Sequence, residues 1–262
     1  IDAALRRSDK RVAAAQQGAL WLGSSIVELL AAKSVLMVGS TQRTEQPLLA
    51  SRLRQSVKKG MALNVIHTSD DDLLTRVNAK LIVSPLALVN ALAQVLKAAV
   101  EIKSASTTLD LSAANVGAEA RAIADSLCAA ESAAVVLGNV AQHHPAFAEL
   151  LSLAQEIGRV TGARFGIAAE AANSVGADIA GVNPQRGPMG KAVTAGLAAS
   201  EMLAAPRKAY VLLNSEIEAD AYNSQQAVAA MKQAATVIAL TAFKGEALLD
   251  YADVLLPIAP FS

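Results

Sequence analysis

Residues 133–167 read AAVVLGNVAQHHPAFAELLSLAQEIGRVTGARFGI. The run Ala133–Leu137 is apolar at every position and ends on Gly138 and Asn139, the pattern of a short strand buried on both faces. A polar loop follows. Pro145 then stands where a helix begins well, because a first-turn residue needs no N–H donor and the ring already sets φ near the helical value. Phe147, Leu150, Leu151, Ala154 and Ile157 recur at steps of three and four and make one apolar stripe, with Gly158 and Gly162 as stopping points. Residues 164–167 close the unit as a second strand.

The same strand–helix–strand unit occurs twice more. Residues 35–39 (VLMVG) form an apolar strand ending on glycine, residues 40–46 a polar loop, and Pro47 opens a helix with Leu49, Leu53 and Val57 in register. Gly60 ends that helix, and residues 63–66 are the next strand. A weaker copy runs from residue 209 to 241: strand AYVLLN, a loop carrying Glu216, Glu218 and Asp220, a helix from about Ser224, and strand TVIAL. Strands joined through helices return to the same edge of the sheet, so parallel sheets in an α/β fold are expected. The repetition predicts two lobes.

Composition narrows the field. Of 262 residues 53% are hydrophobic but only 3% aromatic, so the interior must be built from Ala, Leu, Val and Ile. Lys plus Arg and Asp plus Glu both total 23, which leaves no bulk charge to attract nucleic acid or an anionic membrane. A single cysteine, Cys128, excludes an internal disulfide framework and any thiolate-held iron–sulfur or zinc cluster built from this chain alone, and points to a reducing compartment. Uncharged apolar stretches fall short of the roughly 20 residues of a membrane span, and no basic segment followed by an apolar run marks a secretion signal. The expectation is a soluble protein without direct membrane insertion. Because it begins at Ile1 and stops at Ser262 just after the strand-like ADVLLP, the sequence is also expected to be a fragment of a longer protein.

Along the chain, residues 1–32 read as a helical lead-in, with residues 13–22 apolar on one side and Ser24 or Ser25 able to cap a second helix. Residues 81–83 make a short strand, and after Pro85 a helix carries Leu88, Leu92, Leu96 and Val100. The polar passage 99–110 is the expected boundary, giving a first lobe of residues 33–110 and a second of 111–262 whose C-terminal end is cut. An Ala-rich helix over 112–130 leads into the central strand, with Cys128 near its buried end. Residues 168–206 are rich in Gly and Asn, and a long irregular segment leaving the carboxyl end of a strand is where an open α/β sheet binds ligands.

Candidate chemistry is sparse. Gly39 and Gly138 each supply one glycine after a strand, whereas a dinucleotide fingerprint needs three at fixed spacing. Both read more simply as strand-to-loop turns. In Gly187-Pro188-Met189-Gly190-Lys191 the glycines are too close for a P-loop, and Ala192 stands where a hydroxyl would hold magnesium. His143 and His144 are adjacent and His67 ends a strand, with no partner ligand at helical spacing, so no metal site is expected. Asp70, Asp71 and Asp72 before Leu73 read as a helix cap. Cys128 inside an Ala-rich helix lacks the electropositive, accessible setting of a nucleophile. Arg186 and Lys191 remain as possible anion holders. No acid–base pair, triad or metal cluster emerges.

Taken in order, residues 35–66, VNAKLIVSP at 77–85, residues 135–138, Ala180-Gly181-Val182-Asn183-Pro184 with Arg186-Gly187, and YADVLLP at 251–257 resemble the molybdopterin oxidoreductase family. Within it the likeness is greatest to the large iron–sulfur subunits of proton-pumping NADH:quinone oxidoreductase, respiratory complex I. That likeness is carried by Val136-Leu137-Gly138-Asn139 with Gln142-His143-His144-Pro145, EAANSVG at 170–176, PRKAYVLLN at 206–214 and LPIAPF at 256–261. The resemblance implies two Rossmann-like lobes with mostly parallel sheets, like domains 2 and 3 of formate dehydrogenase. It further implies a scaffold that has lost its pterin, with no catalytic residue of its own and a degenerate crevice lined by Gly39, Gly138, Asn139, Asn183 and Arg186. Iron–sulfur clusters would sit in a Cys-rich N-terminal part of the parent. The other hydrophilic-arm subunits would be its partners, on the cytoplasmic face of a bacterial inner membrane. Pro188, Met189 and Lys191 intervene where pterin-holding members have further glycines and amides. Two alternatives stay open: an active molybdenum or tungsten bis-pterin oxidoreductase fragment, and a small-molecule-binding α/β module.

Overall fold

The computed structural model describes residues 1–7, 9, 11–16 and 18–260. Phe261, the last residue of the LPIAPF segment, lies outside them, as does part of the helical lead-in. The described chain divides into two compact units, Arg11–Asp178 and Ile179–Ser262 joined by Ile1–Lys10.

The larger unit begins with two short helices, α1 (Val12–Ala15) and α2 (Ile26–Ala31). Ser25 caps α2 in a reciprocal box with Glu28, as its Ser-x-x-Glu spacing dictates. Of the helical lead-in expected over 1–32, the second helix forms as its cap predicts, while among the described residues the rest is reduced to α1, with Gly18 and Gly23 at positive φ between the two helices. The intervening chain runs along a sheet edge, where Ile167 N donates to Trp21 O at 2.7 Å. There follow β1 (Ser34–Val38), α3 (Gln42–Glu45), α4 (Pro47–Lys58), β2 (Ala62–His67) and β3 (Ala79–Ile82). After a 3-10 turn at Pro85–Ala87 come α5 (Leu88–Lys103), α6 (Ala118–Ala129), β4 (Ala133–Leu137), α7 (Asn139–Gln142), α8 (Phe147–Thr161) and β5 (Arg164–Ile167).

All five strands pair in parallel in the order β3-β2-β1-β4-β5. The first two sequence copies thus share one sheet: Ser34 in β1 is opposite Ala133 in β4. The division expected at residue 110 is corrected accordingly, and the chain divides instead within α9 (Ser174–Ala180). Every residue of β1 and β4 is buried. Leu36 and Val38 meet α5, α6 and α8 on one face, while Val35 and Met37 meet α2 and α4 on the other. The predicted stripe of α8 holds, with Phe147, Leu150, Leu151, Ala154 and Ile157 all fully buried. Gly162 ends α8 in the left-handed conformation, while Gly158 lies inside the helix, where a Cβ would come 2.8 Å from Ala163 O.

Three expectations shift. Pro47 opens α4, but α8 starts at Phe147, two residues past Pro145. The Ala-rich helix starts at Ala118 rather than 112. No helix follows Asp70–72 either; Asp72 accepts Leu74 N at 2.8 Å in a turn, and Lys80 pairs with Asp70. The segment Pro85–Lys103 is long and apolar enough by length and composition to cross a membrane, and in this fold it is the central helix packed on α6 and α8. A polar cluster interrupts the aliphatic interior at the start of β2. Asn64, fully buried, donates to Ser34 Oγ at 3.2 Å and Ser126 Oγ at 3.1 Å, and accepts from Asn78 at 2.8 Å.

The smaller unit holds α10 (Ala199–Ala204), β6 (Ala209–Leu213), α11 (Ile217–Asp220), α12 (Ser224–Gln233), β7 (Thr236–Thr241), α13 (Glu246–Leu249) and β8 (Val254–Pro257). Its strands are parallel in the order β6-β7-β8. Asn223 caps α12 through Gln226 N, and Tyr210, Leu212, Val237 and Ala239 pack with Ala227, Ala230 and Met231 beneath the sheet. The opposite face exposes Val211, Leu213, Val254 and Leu256.

Candidate functional site

In the five-stranded sheet the strand order reverses between β1 and β4, and a crevice belongs at the carboxyl ends of such a pair. The structure brings Gly39, Gly138 and Asn139 to that point. Gly39 adopts φ +58°, and a Cβ on it would lie 2.7 Å from Ala141 N. At Gly138 a Cβ would lie 2.3 Å from that of Ser40. Both glycines serve the close approach of two loops rather than of a ligand.

Hydrogen bonds knit the loops shut. Gly39 N donates to Ile66 O at 2.9 Å and Gly138 N to Val38 O at 2.8 Å, extending the sheet past its strands. The first amides of α7, Val140 N and Ala141 N, both turn to Gly39 O at 2.9 and 3.4 Å. In nucleotide-binding folds of this topology such N–H groups point at phosphate. Here they are spent inside the protein.

Glu45, the last residue of α3, reaches back over the opening. Its Oε1 accepts Thr41 N at 3.0 Å, and its Oε2 accepts Ser40 Oγ at 3.2 Å and Asn139 N at 3.5 Å. Gln142 completes the closure by donating to Ala168 O at 2.8 Å and Asn139 Oδ1 at 3.2 Å. A carboxylate thus takes the donors that an anionic cofactor would need, and its charge would repel one. Gln42 Nε2 and His67 Nε2 are buried nearby without partners, but neither reaches solvent. These residues do not fit a pterin nucleotide.

The histidines divide. His143 Nε2 lies 3.0 Å from Glu170 Oε2, joining the loop after β4 to that after β5. His144 accepts Ala146 N on Nδ1, which leaves Nε2 to donate to Pro85 O at 2.9 Å, so it is a structural turn residue. His67 holds the turn at Ser69 through Nδ1. Among the described residues no group of three His, Cys, Asp or Glu is placed to hold a metal ion. Cys128 is half-buried, and burial pushes its thiol up from the ordinary value, away from nucleophilic behaviour.

Asn183 and Arg186 belong to the other compact unit. Asn183 Oδ1 accepts Gln185 N at 2.9 Å, and Arg186 bridges Ala192 at the base of a tight turn closed by Gly187 N to Lys191 O at 2.9 Å. Met189 sits at its tip with φ +57°. The glycines at 187 and 190 are turn residues, consistent with rejection of the P-loop reading. Sequence reasoning misses Glu45 as a site residue and takes Glu170 only as part of the EAANSVG likeness; the one available sign of Glu45 is an acid closing a polar loop after a strand-end glycine.

Comparison with known proteins extends this geometry. A family model described as "Molybdopterin oxidoreductase" matches residues 3–262. No curated protein sequence matches. Among solved structures the chain is similar to the formyltransferase/hydrolase complex (FhcABCD) from Methylorubrum extorquens in complex with methylofuran. There the TM-score is 0.60 at 16% identity over 94% of this chain and 67% of that one. It is also similar to acetylene hydratase from Pelobacter acetylenicus, with a TM-score of 0.51 at 12% identity, covering 88% of this chain and 41% of that one. Likeness at these identities establishes the fold.

Proposed function

The chain belongs to the molybdopterin oxidoreductase family, and from that premise we propose that it is a pterin-free scaffold within the large iron–sulfur subunit of NADH:quinone oxidoreductase. The observation that carries the scaffold reading is Glu45, whose carboxylate occupies the amides of Thr41 and Asn139 at the switch point. A fold keeps its packing after losing a cofactor as long as its core is intact, and the core here is continuous on both faces of the large sheet. The assignment to NADH:quinone oxidoreductase rests on the sequence likeness at 136–145, 170–176, 206–214 and 256–261.

In this reading electrons pass from NADH to quinone through iron–sulfur centres held elsewhere in the parent. This portion contributes no reacting group, and Gly39, Gly138 and Asn139 are structural residues of a closed crevice. Its partners are other subunits of the hydrophilic arm, on the cytoplasmic side of the membrane. The exposed aliphatic face of β6 and β8 supports a place inside an assembly, since apolar surface of that kind is costly to leave in water.

Elemental and pterin analysis of the full-length parent tests the proposal. Iron without molybdenum, tungsten or the fluorescent oxidation product of a pterin is the expected result. Stoichiometric pterin with molybdenum or tungsten would overturn it in favour of an active bis-pterin enzyme, with Asn183, Arg186 and Lys191 the first residues to substitute.

A further inference from the structure

On the larger unit, α2 and α4 flank a groove of about 470 Å³. Its floor is apolar: Val27, Leu30 and Ala31 on α2, and Met61 after α4. Its rim carries Lys33, Arg52 and Lys59, and no acidic side chain lines it. Among the described residues none of these three cations makes an ion pair, although the chain as a whole balances 23 basic against 23 acidic residues. Lys59 at the carboxyl end of α4 complements the helix dipole. Arg52 in the middle of α4 and Lys33 at the entrance to β1 have no such account.

The groove is also rigidly framed. Ser56 Oγ donates to Leu30 O at 2.8 Å, tying α4 to the end of α2, and the box at Ser25 fixes the other end. Val27 on that floor nevertheless stands 76% exposed. An apolar floor ringed by unpaired cations is complementary to one kind of occupant.

We infer that this groove docks an acidic amphipathic segment of a partner protein, its carboxylates meeting Lys33, Arg52 and Lys59 and its aliphatic side chains covering Val27 and Leu30. Unpaired rim cations raise the rate of encounter and select the charge sign, while the floor supplies the area that holds the segment. The inference is independent of whether the crevice at Gly39 and Gly138 takes a pterin.

The test uses the whole chain and a fluorescein-labelled synthetic helix with Glu on one face and Leu on the other. The expected result is saturable binding that weakens with added salt. It should fall roughly tenfold or more in the double variant Arg52→Glu/Lys59→Glu, as expected for reversed rim charges, and fall again with Val27→Asp. All three positions are exposed, and circular dichroism would check that the variants keep the fold. A counterpart peptide with Lys for Glu should not bind. Equal binding of both peptides, no binding, or binding indifferent to the variants would overturn the inference. So would preference for phosphatidylglycerol vesicles over the peptide, or a self-association in sedimentation that the double variant abolishes.

Discussion

The two sheets of this molecule are built from equally apolar strands and end up in different surroundings. β4 reads AAVVL and is buried along its whole length; β6 reads AYVLL, yet Val211 and Leu213 are 69% and 66% exposed. What differs is the layer above. Helices α5, α6 and α8 cover one face of the five-stranded sheet and α2 and α4 the other, whereas the described helices packed on the three-stranded sheet lie on one face. Parallel strands normally have both faces covered. A strand's composition therefore states the cover it is made for, and exposure states the cover it has. The mismatch in β6 is an apolar sheet face left open among the described residues.

The largest effect expected is at Phe147, fully buried under the large sheet. Phe147→Ala should cost about 3–5 kcal/mol through lost transfer energy and an unfilled cavity, read as a drop in the urea midpoint. Next, Gly138→Ala drives a methyl into Ser40 and should cost about 1–3 kcal/mol. Gly245→Ala, whose nearest neighbour would be 4.0 Å away and whose φ is negative, should be close to neutral in the other unit. Equal costs at these two glycines would break the contrast between a closed switch point and an open loop.

Glu45→Ala strips acceptors from Ser40, Thr41 and Asn139 and should cost on the order of 1 kcal/mol. On the open face, Leu213→Ser should change stability by no more than about 0.5 kcal/mol while lowering aggregation, measured by light scattering. A cost there as large as that of Phe147→Ala would mean that the face is covered in solution. The smallest effect is one of pH. The Arg159 guanidinium holds the Glu156 carboxyl below its ordinary value, so the stability it contributes is present above that value and is lost as pH falls through the lowered one. Between about pH 6 and pH 3, wild type should lose slightly more stability than Arg159→Ala.

Much of this fold is legible residue by residue. The stripe on α8, Pro47 at the first turn of α4, Ser25 as a cap and the α/β class all follow from local pattern, because helix period and capping are short-range physics. The boundary at 110 is not legible in that way. Pairing of β1 with β4 joins residues about a hundred positions apart, and nothing in either strand names its neighbour. The site shows the same divide. Gly39, Gly138 and Asn139 can be found because each follows a strand, but the carboxylate that closes over them comes from a helix of four residues inside a polar loop. Asn183 and Arg186 are grouped with them only by family resemblance; the fold assigns them to a second unit with turns of its own.

The polar knot at Asn64 solves a problem that the aliphatic core creates. Parallel strands as uniform as SVLMV and ALNVIH could slide past one another by two positions and still present apolar side chains to the same faces. Any such slip would carry the Asn64 amide away from Ser34, Ser126 and Asn78, leaving buried donors and acceptors empty at roughly 1–3 kcal/mol each. One amide thus acts as the index mark by which an otherwise featureless pair of strands is aligned, and a chain that folds out of step is recognised by its own unpaired atoms.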